Sequence, residues 1–385
     1  MIYISATVLG MILLLFSNHI KERYSFLGVA RSEYREHNNL LAIPFYGILL
    51  IVYILFTLIA ATRYYVGTDY NTYTIHQIPQ ALSGGTDTGY DVEILYKALI
   101  QLGAALGSYQ WIFALTHIII LLFIFLYIKD RSVNYSQSLF IFVFCTFFNF
   151  SLNGMRQSIA TAIFLYSTKY ISEKKIIRYY LCIAVAILFH TSAIVYLFFY
   201  PLAYLRLNKK RIIVILPILL MLSVGSKYIY KLLFALSLKL NLYSKFFGSV
   251  YDNVLNFTDM YVLFLVLNIV ILLFFYFLDT NESERMSLPD GESSVEGLNT
   301  DINIQLVATV FSAISFVIPG AFRAIYMFIP IQITLLPNML KKIERKDIRV
   351  LITVLFGIYY IFLFSYLILY HNQNETLPYQ SVLFK

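Results

Sequence analysis

Runs of roughly 15–20 apolar residues recur along the whole chain, separated by short segments that carry most of its Lys and Arg. Few folds can hide such runs. A soluble domain has about 45–50% apolar and about 25% charged residues. Here 59% are hydrophobic and 13% charged, with a mean hydropathy of +0.73. Only lipid removes the penalty for that much apolar surface, and in lipid every backbone N–H and C=O must be satisfied inside the segment. The expected fold is therefore an all-α polytopic membrane protein, one integral membrane domain over residues 1–385.

The runs predict about twelve spans (a range of about 10–14), at 2–18, 40–61, 111–128, 137–152, 155–171, 177–190, 192–205, 212–225, 260–278, 303–319, 322–339 and 350–370. Several are short for a full crossing, which points to half-crossing helices or a thin, cavity-lined region. The first run lacks a basic leader and a small-residue cleavage site, and Lys21 and Arg23 follow it, so it reads as an uncleaved span with its N-terminus outside. Loops 18–39, 129–136, 169–178, 206–211, 279–301 and 341–349 then face inward, and they hold 20 of the 29 Lys and Arg residues. The net charge of +8 is thus an orienting pattern rather than a nucleic-acid stripe. Both termini are expected outside. Segment 62–110 is an outer loop whose amphipathic stretch Val92–Leu106 lies along the membrane surface. Segment 226–259 is a second outer loop, and 279–301 is an acidic, flexible inner loop. Cys145 and Cys182 both lie in apolar runs, which argues against a disulfide framework or a zinc site.

Ionisable groups at the edges of apolar spans are costly and need a reason. Four stand out: Arg63, Arg156, His190 and Arg323, all on the outer face in this topology. Each also has a plain structural reading. Arg63 and Arg156 could snorkel at helix ends, although Asn149 and Asn153 at helical spacing give Arg156 polar company. His190 could be a satisfied core histidine, Arg323 a headgroup anchor after Pro319-Gly320, and Asp69 an Asx turn. As a set they suit a lipid-linked diphosphate: guanidiniums grip phosphate oxygens and stay charged, while Asp69, Glu93 and His190 are candidates to take a proton from a hydroxyl. No P-loop, GxGxxG, GxSxG or paired metal-ligand motif is present, which argues against nucleotide hydrolysis and a serine hydrolase.

Several of these segments resemble the EpsG family of bacterial exopolysaccharide proteins, which are similar to Wzy-type O-antigen and capsule polymerases. The likeness runs through Arg63 and Val66-Gly67-Thr68-Asp69-Tyr70, through Asn153-Gly154-Met155-Arg156-Gln157-Ser158-Ile159-Ala160, and through Phe189-His190-Thr191-Ser192-Ala193. It continues in Arg323-Ala324-Ile325-Tyr326 and Leu377-Pro378-Tyr379. The resemblance implies a GT-C-like membrane glycosyltransferase that needs no metal, nucleotide or other cofactor. It would transfer a growing glycan from undecaprenyl diphosphate to a sugar hydroxyl of an incoming lipid-linked repeat unit, on the outer face of the bacterial cytoplasmic membrane. The implied partners are that lipid-linked oligosaccharide and the membrane lipids, with a chain-length regulator as a further candidate. On this view Arg156, Arg323 and Arg63 bind the diphosphate. His190, Asp69 and Glu93 form the catalytic set. Gln157, Asn153, Tyr70, Tyr73 and Tyr326 contact substrate, with Trp111 as a further stacking candidate.

Two other classes share parts of the pattern. A flippase or transporter of lipid-linked sugars would spread its charges along a central pathway with repeat symmetry, and no repeat is visible. A membrane acyltransferase modifying polysaccharide would also use a His and Arg residues, but no charge pattern fits an inward-facing acyl-CoA site.

Overall fold

The computed structural model describes residues 2–29, 37–84, 91–202, 204, 209–240, 258–282, 292–315 and 322–384. Among them the regular structure is helical, and the sole β-type pairing is an isolated bridge between Arg63 and Ser381. The helices are α1 (Ile2–Val29), α2 (His37–Ala61), α3 (Ile78–Ser83), α4 (Ile94–Ala105), α5 (Gln110–Arg131), α6 (Tyr135–Phe144), α7 (Phe147–Asn153), α8 (Met155–Ser172), α9 (Ile176–Phe189), α10 (Phe199–Leu202), α11 (Lys209–Val224), α12 (Ser226–Leu240), α13 (Thr258–Glu282), α14 (Glu292–Ile314), α15 (Phe322–Phe328), α16 (Gln332–Lys341) and α17 (Lys346–Phe364). The contacts divide the chain, read from sequence as one domain, into two compact units. One comprises Met1–Lys169, Ile177–Leu197 and Tyr360–Lys385, the other Tyr170–Ile176 and Phe198–Tyr359.

The membrane assignment holds at the level of length and composition. Among the described residues four helices are long and apolar enough to cross a bilayer: Gln110–Arg131, Met260–Leu278, Arg323–Lys341 and Lys346–Tyr370. Two bent pairs raise this to six if each is one span. The twelve-span reading counted every apolar run as a crossing, whereas some are short: the expected span 177–190 is a helix of 14 residues, Ile176–Phe189. The expected span 192–205, for instance, is a 3-10 helix, Thr191–Phe198, followed by the single turn of α10.

In the first unit, α2 packs on α1 and α5, α1 on α6, and α4 on α5. The expected span 137–152 is broken. Thr146 adopts a left-handed φ of 65°, and α6 and α7 meet at a 51° bend. Gly154 then separates α7 from α8, and a Cβ there would sit 2.7 Å from the Phe150 ring. These two breaks stop α7 short and set Arg156 in the first turn of α8. At the other end of α8, Lys169 Nζ donates to Asp130 at the end of α5 over 2.6 Å. Arg156 and Lys169 lie thirteen residues apart on one helix, an axial separation of about 20 Å. Asp130 and Lys169 thus mark the end of the unit away from Arg156, where the expected inner loop 129–136 begins.

The surface stretch Val92–Leu106 is helical from Ile94 and covers one face of α5 with Tyr96, Leu99, Ile100 and Gly103. It is not free along its whole circumference. Gly103 is in such close contact with Ile112 that a Cβ would meet the Ile112 backbone nitrogen at 2.9 Å.

In the second unit, α13 packs on α14. Asn268, Gln305 and Gln332, from α13, α14 and α16, are fully buried and bond to one another at 2.7–3.2 Å, with Ser312 accepting from Asn268. Carboxamides have few partners in hydrocarbon, so a closed triad ties three helices together. The expected outer loop 226–259 begins as a helix, α12, and residues 241–257 lie outside the described residues. The expected inner loop 279–301 is entered by α13 and α14 from its two ends, and its centre, 283–291, also lies outside them.

Candidate functional site

Three of the residues singled out from sequence meet at Glu93. This carboxylate sits in the turn before α4, in β-region backbone (φ −65°, ψ 154°). Arg156 Nη1 donates to its Oε2 at 2.6 Å, and His190 Nδ1 donates to its Oε1 at 3.0 Å. The Thr191 backbone N–H adds a bond to Oε1 at 3.0 Å, and the Thr191 hydroxyl reaches it at 3.4 Å. The arrangement exists because α8 starts at Met155, α9 ends at Phe189, and the Glu93 turn reaches both ends.

The three side chains are partly exposed: 20% for Arg156, 12% for Glu93 and 23% for His190. They are thus shielded from bulk water yet open to a ligand. Burial pushes the Glu93 carboxyl up, but the His190 hydrogen bond, the Arg156 charge and the Thr191 amide outweigh it and bring it down to about 2. An ionised carboxylate can only accept, so His190 Nδ1 carries the proton, and in the neutral ring Nε2 is left as an acceptor. Glu93 is therefore committed to Arg156 and His190. It is poorly suited to be the base that sequence reasoning considered, and well suited to hold the imidazole in one tautomer and orientation.

Asp69 is positioned differently. Its backbone N–H donates to Asn153 Oδ1 at 2.7 Å, which ties the 63–70 loop to the last turn of α7. Asn153 in turn donates to Asn374 Oδ1 at 3.2 Å, and Asn149, one turn earlier, donates to Thr376 Oγ1 at 2.8 Å. The C-terminal segment thus runs across the end of α7. It is also clasped to the loop: Tyr64 N–H to Gln380 O, Gly67 N–H to Glu375 O and Thr68 N–H to Asn374 O are each 3.0 Å. From the N-terminus, Tyr3 OH donates to Thr376 O at 2.9 Å. Of the motifs read from the sequence, only Leu377-Pro378-Tyr379 touches this segment. Its buried partners Asn374 and Thr376 were missed, since nothing in their local sequence marks them; Thr191, beside Glu93, lay inside the Phe189–Ala193 motif but was given no role.

Arg63 does not join the cluster. It is completely buried, donates to the carbonyls of Leu152 and Val66, and lies 4.8 Å from the Phe113 ring centroid. One terminal nitrogen of its guanidinium bonds backbone at the loop–α7 junction and the other donates to Met155 Sδ at 3.1 Å, which makes it a strut there. Tyr70 is buried and stacked on Phe113 at 5.1 Å. Tyr73, Asn153 and Gln157 are buried as well. Trp111 is 48% exposed at the start of α5. Arg323 and Tyr326 belong to the second unit. Arg323 is exposed in the first turn of α15, and Tyr326 is buried with its ring edge-on to Phe264. Among the described residues, no three His, Cys, Asp or Glu side chains gather to hold a metal ion.

Compared with known families, residues 46–381 match the model of the EpsG family. The chain belongs to the EpsG family. The match covers most of the chain and takes in Glu93, Arg156 and His190 together with the C-terminal segment up to Ser381. EpsG family members are Wzy-type polymerase-like proteins, which gives this chain a polysaccharide-polymerase type of role in general terms. The apolar helices make it a membrane protein, and EpsG membership points to the inner membrane. No curated protein and no solved structure matches the chain.

Proposed function

We propose that this EpsG-family chain is a polysaccharide polymerase. It transfers a growing glycan from undecaprenyl diphosphate to a sugar hydroxyl of an incoming lipid-linked repeat unit, at the outer face of the bacterial cytoplasmic membrane. The observation that carries the reading is Glu93 bridging Arg156 and His190 in a half-open position, in a chain of this family.

In the proposed step, His190 Nε2 accepts the proton of the acceptor hydroxyl as its oxygen attacks the anomeric carbon of the donor sugar. The bond from that carbon to the diphosphate oxygen breaks, and undecaprenyl diphosphate leaves with its electron pair. Arg156 stabilises the charge that grows on the leaving phosphate oxygens, where a preorganised cation is worth most. Glu93 balances Arg156 and keeps Nδ1–H of His190 engaged. Asp69, held at the loop–α7 junction by its backbone, is assigned to position acceptor hydroxyls. Arg323, exposed on the second unit, stays a phosphate-binding candidate on sequence grounds alone; Arg63 is left out because it is completely buried and bonded to the Leu152 and Val66 carbonyls and Met155 Sδ.

The test is an assay with purified protein and lipid-linked repeat units, without added metal or nucleotide. A ladder of polymers is expected, with Arg156→Ala and His190→Ala each reducing turnover by at least about 10². Undiminished ladders from both variants at normal protein levels would remove the site assignment.

A further inference from the structure

We propose that Tyr65, with Glu375 and Gln380 of the C-terminal segment bonded to its loop, forms a carbohydrate subsite of the first unit, an aromatic platform that holds a sugar ring of the acceptor. The subsite rests on the polymerase reading for its substrate class.

The starting point is a backbone oddity. Tyr65 has a φ of 51°, the left-handed region that a bulky side chain enters only at a cost. Glycine would fit that backbone with less strain. A large residue at such a position is compensated when its side chain is packed away, yet the Tyr65 ring is 58% exposed. Its contacts are an edge-on approach to Tyr64 at 4.5 Å and a tilted one to Tyr70 at 5.3 Å. These fix the ring from one side and leave much of it open. Tyr70 is itself backed by Phe113, so the ring rests on a firm aromatic stack.

The strain is over-determined by the C-terminal segment, as strained functional residues require. Arg63 bridges to Ser381, Tyr64 bonds to Gln380 and Gly67 bonds to Glu375, so the loop cannot relax around Tyr65. Glu375 is left-handed too, at φ 49°, and both it and Gln380 are exposed. A rigid open ring, on a loop whose neighbouring residues Tyr64 and Gly67 bond the backbone of the exposed Gln380 and Glu375, matches the two faces of a sugar. The C–H face of a pyranose lies on the ring's negative quadrupole, and its hydroxyls bond to carboxylate and amide oxygens. A tyrosine that merely anchored the protein at the lipid headgroups would need no such backbone, because a relaxed residue reaches the interface equally well.

The test uses a single fluorescent reporter. The chain has one tryptophan, Trp111. In a Trp111→Phe background, Tyr65→Trp places the reporter on the platform. The purified protein, in lipid nanodiscs, is titrated with the free oligosaccharide released by mild acid from the host's lipid-linked repeat unit. A saturable change in emission that is lost in Glu375→Ala supports the subsite; no change overturns it. Quenching by brominated lipid that the oligosaccharide does not relieve also overturns it, in favour of a headgroup anchor. Tyr65→Gly provides the structural control. Its Tm should equal or exceed that of the wild type, while the acceptor KM rises roughly three- to tenfold with kcat little changed, and Tyr65→Phe restores KM. A lower Tm in Tyr65→Gly would make the ring a packing element and sink the proposal. The titration needs no turnover. A binding signal without polymer ladders refutes the polymerase reading alone, and ladders without a binding signal refute the subsite alone.

Discussion

At the scale of single residues, charge alone does not tell a ligand-binding arginine from a structural one. Arg63 and Arg156 look alike in sequence, each at the edge of an apolar run. In the fold, Arg63 is sealed between two carbonyls, the Met155 sulfur and the Phe113 ring, while Arg156 faces a carboxylate in a partly open site. Arg63→Met should therefore lower stability by about 3 kcal/mol or more, since buried carbonyls lose their donor. Its effect on turnover should track the fraction folded, read by parallel Tm and activity measurements. Glu93 gives a pH signature. Its carboxyl is lowered from an ordinary 4.5 to about 2. The stability it contributes is then fully present above about pH 4.5 and is lost as pH falls toward 2. The Tm difference between wild type and Glu93→Gln should be constant from neutral pH to about 5 and should shrink as the medium is acidified below that.

At the scale of elements, the site depends on where helices stop. Thr146 and Gly154 break the run from α6 to α8, and the pieces present Asn149, Asn153 and Arg156 toward one end. The 63–70 loop fits against that end because Gly67 adopts a φ of 106°, with a Cβ position only 3.0 Å from Leu152 O. Gly67→Ala should cost roughly 1–3 kcal/mol and loosen the loop, seen as faster hydrogen exchange at Thr68 and Asp69. The C-terminal segment is the clasp on the same surface. Removing residues 371–385 should leave the helices intact by circular dichroism but abolish polymer ladders and speed proteolysis within 62–70. Unchanged ladders from that truncation would show that the clasp has no bearing on the site.

At the scale of the whole molecule, sidedness is the property to test. Hydrogen bonds gather the 63–70 loop, the head of α8, His190 and the C-terminal segment at one end of the first unit, while Lys169 and Asp130 pair at the other. In a background lacking Cys145 and Cys182, a cysteine at Glu375 should react with a membrane-impermeant maleimide in intact spheroplasts. One at Asp130 should react only after permeabilisation. The reverse result would put the proposed chemistry on the cytoplasmic face.

The sequence by itself determined the solvent of this protein and the identity of its costly groups. Apolar runs can be satisfied only in lipid, and ionisable residues at their edges stand out because a charge among apolar residues needs a partner or water to offset its desolvation. Local pattern could not say which runs cross the membrane, because a run of apolar residues reads the same whether it spans, breaks as at Thr146, or coils as a 3-10 segment after His190. Nor could it join Glu93 to Arg156 and His190, which lie 63 and 97 positions further along the chain. Only the tertiary structure decided those pairings, and with them the contrast between a buried Arg63 and a partly open Arg156. Hydrogen bonds and ion pairs act over about 3 Å and depend on which chain ends the packing of helices brings together.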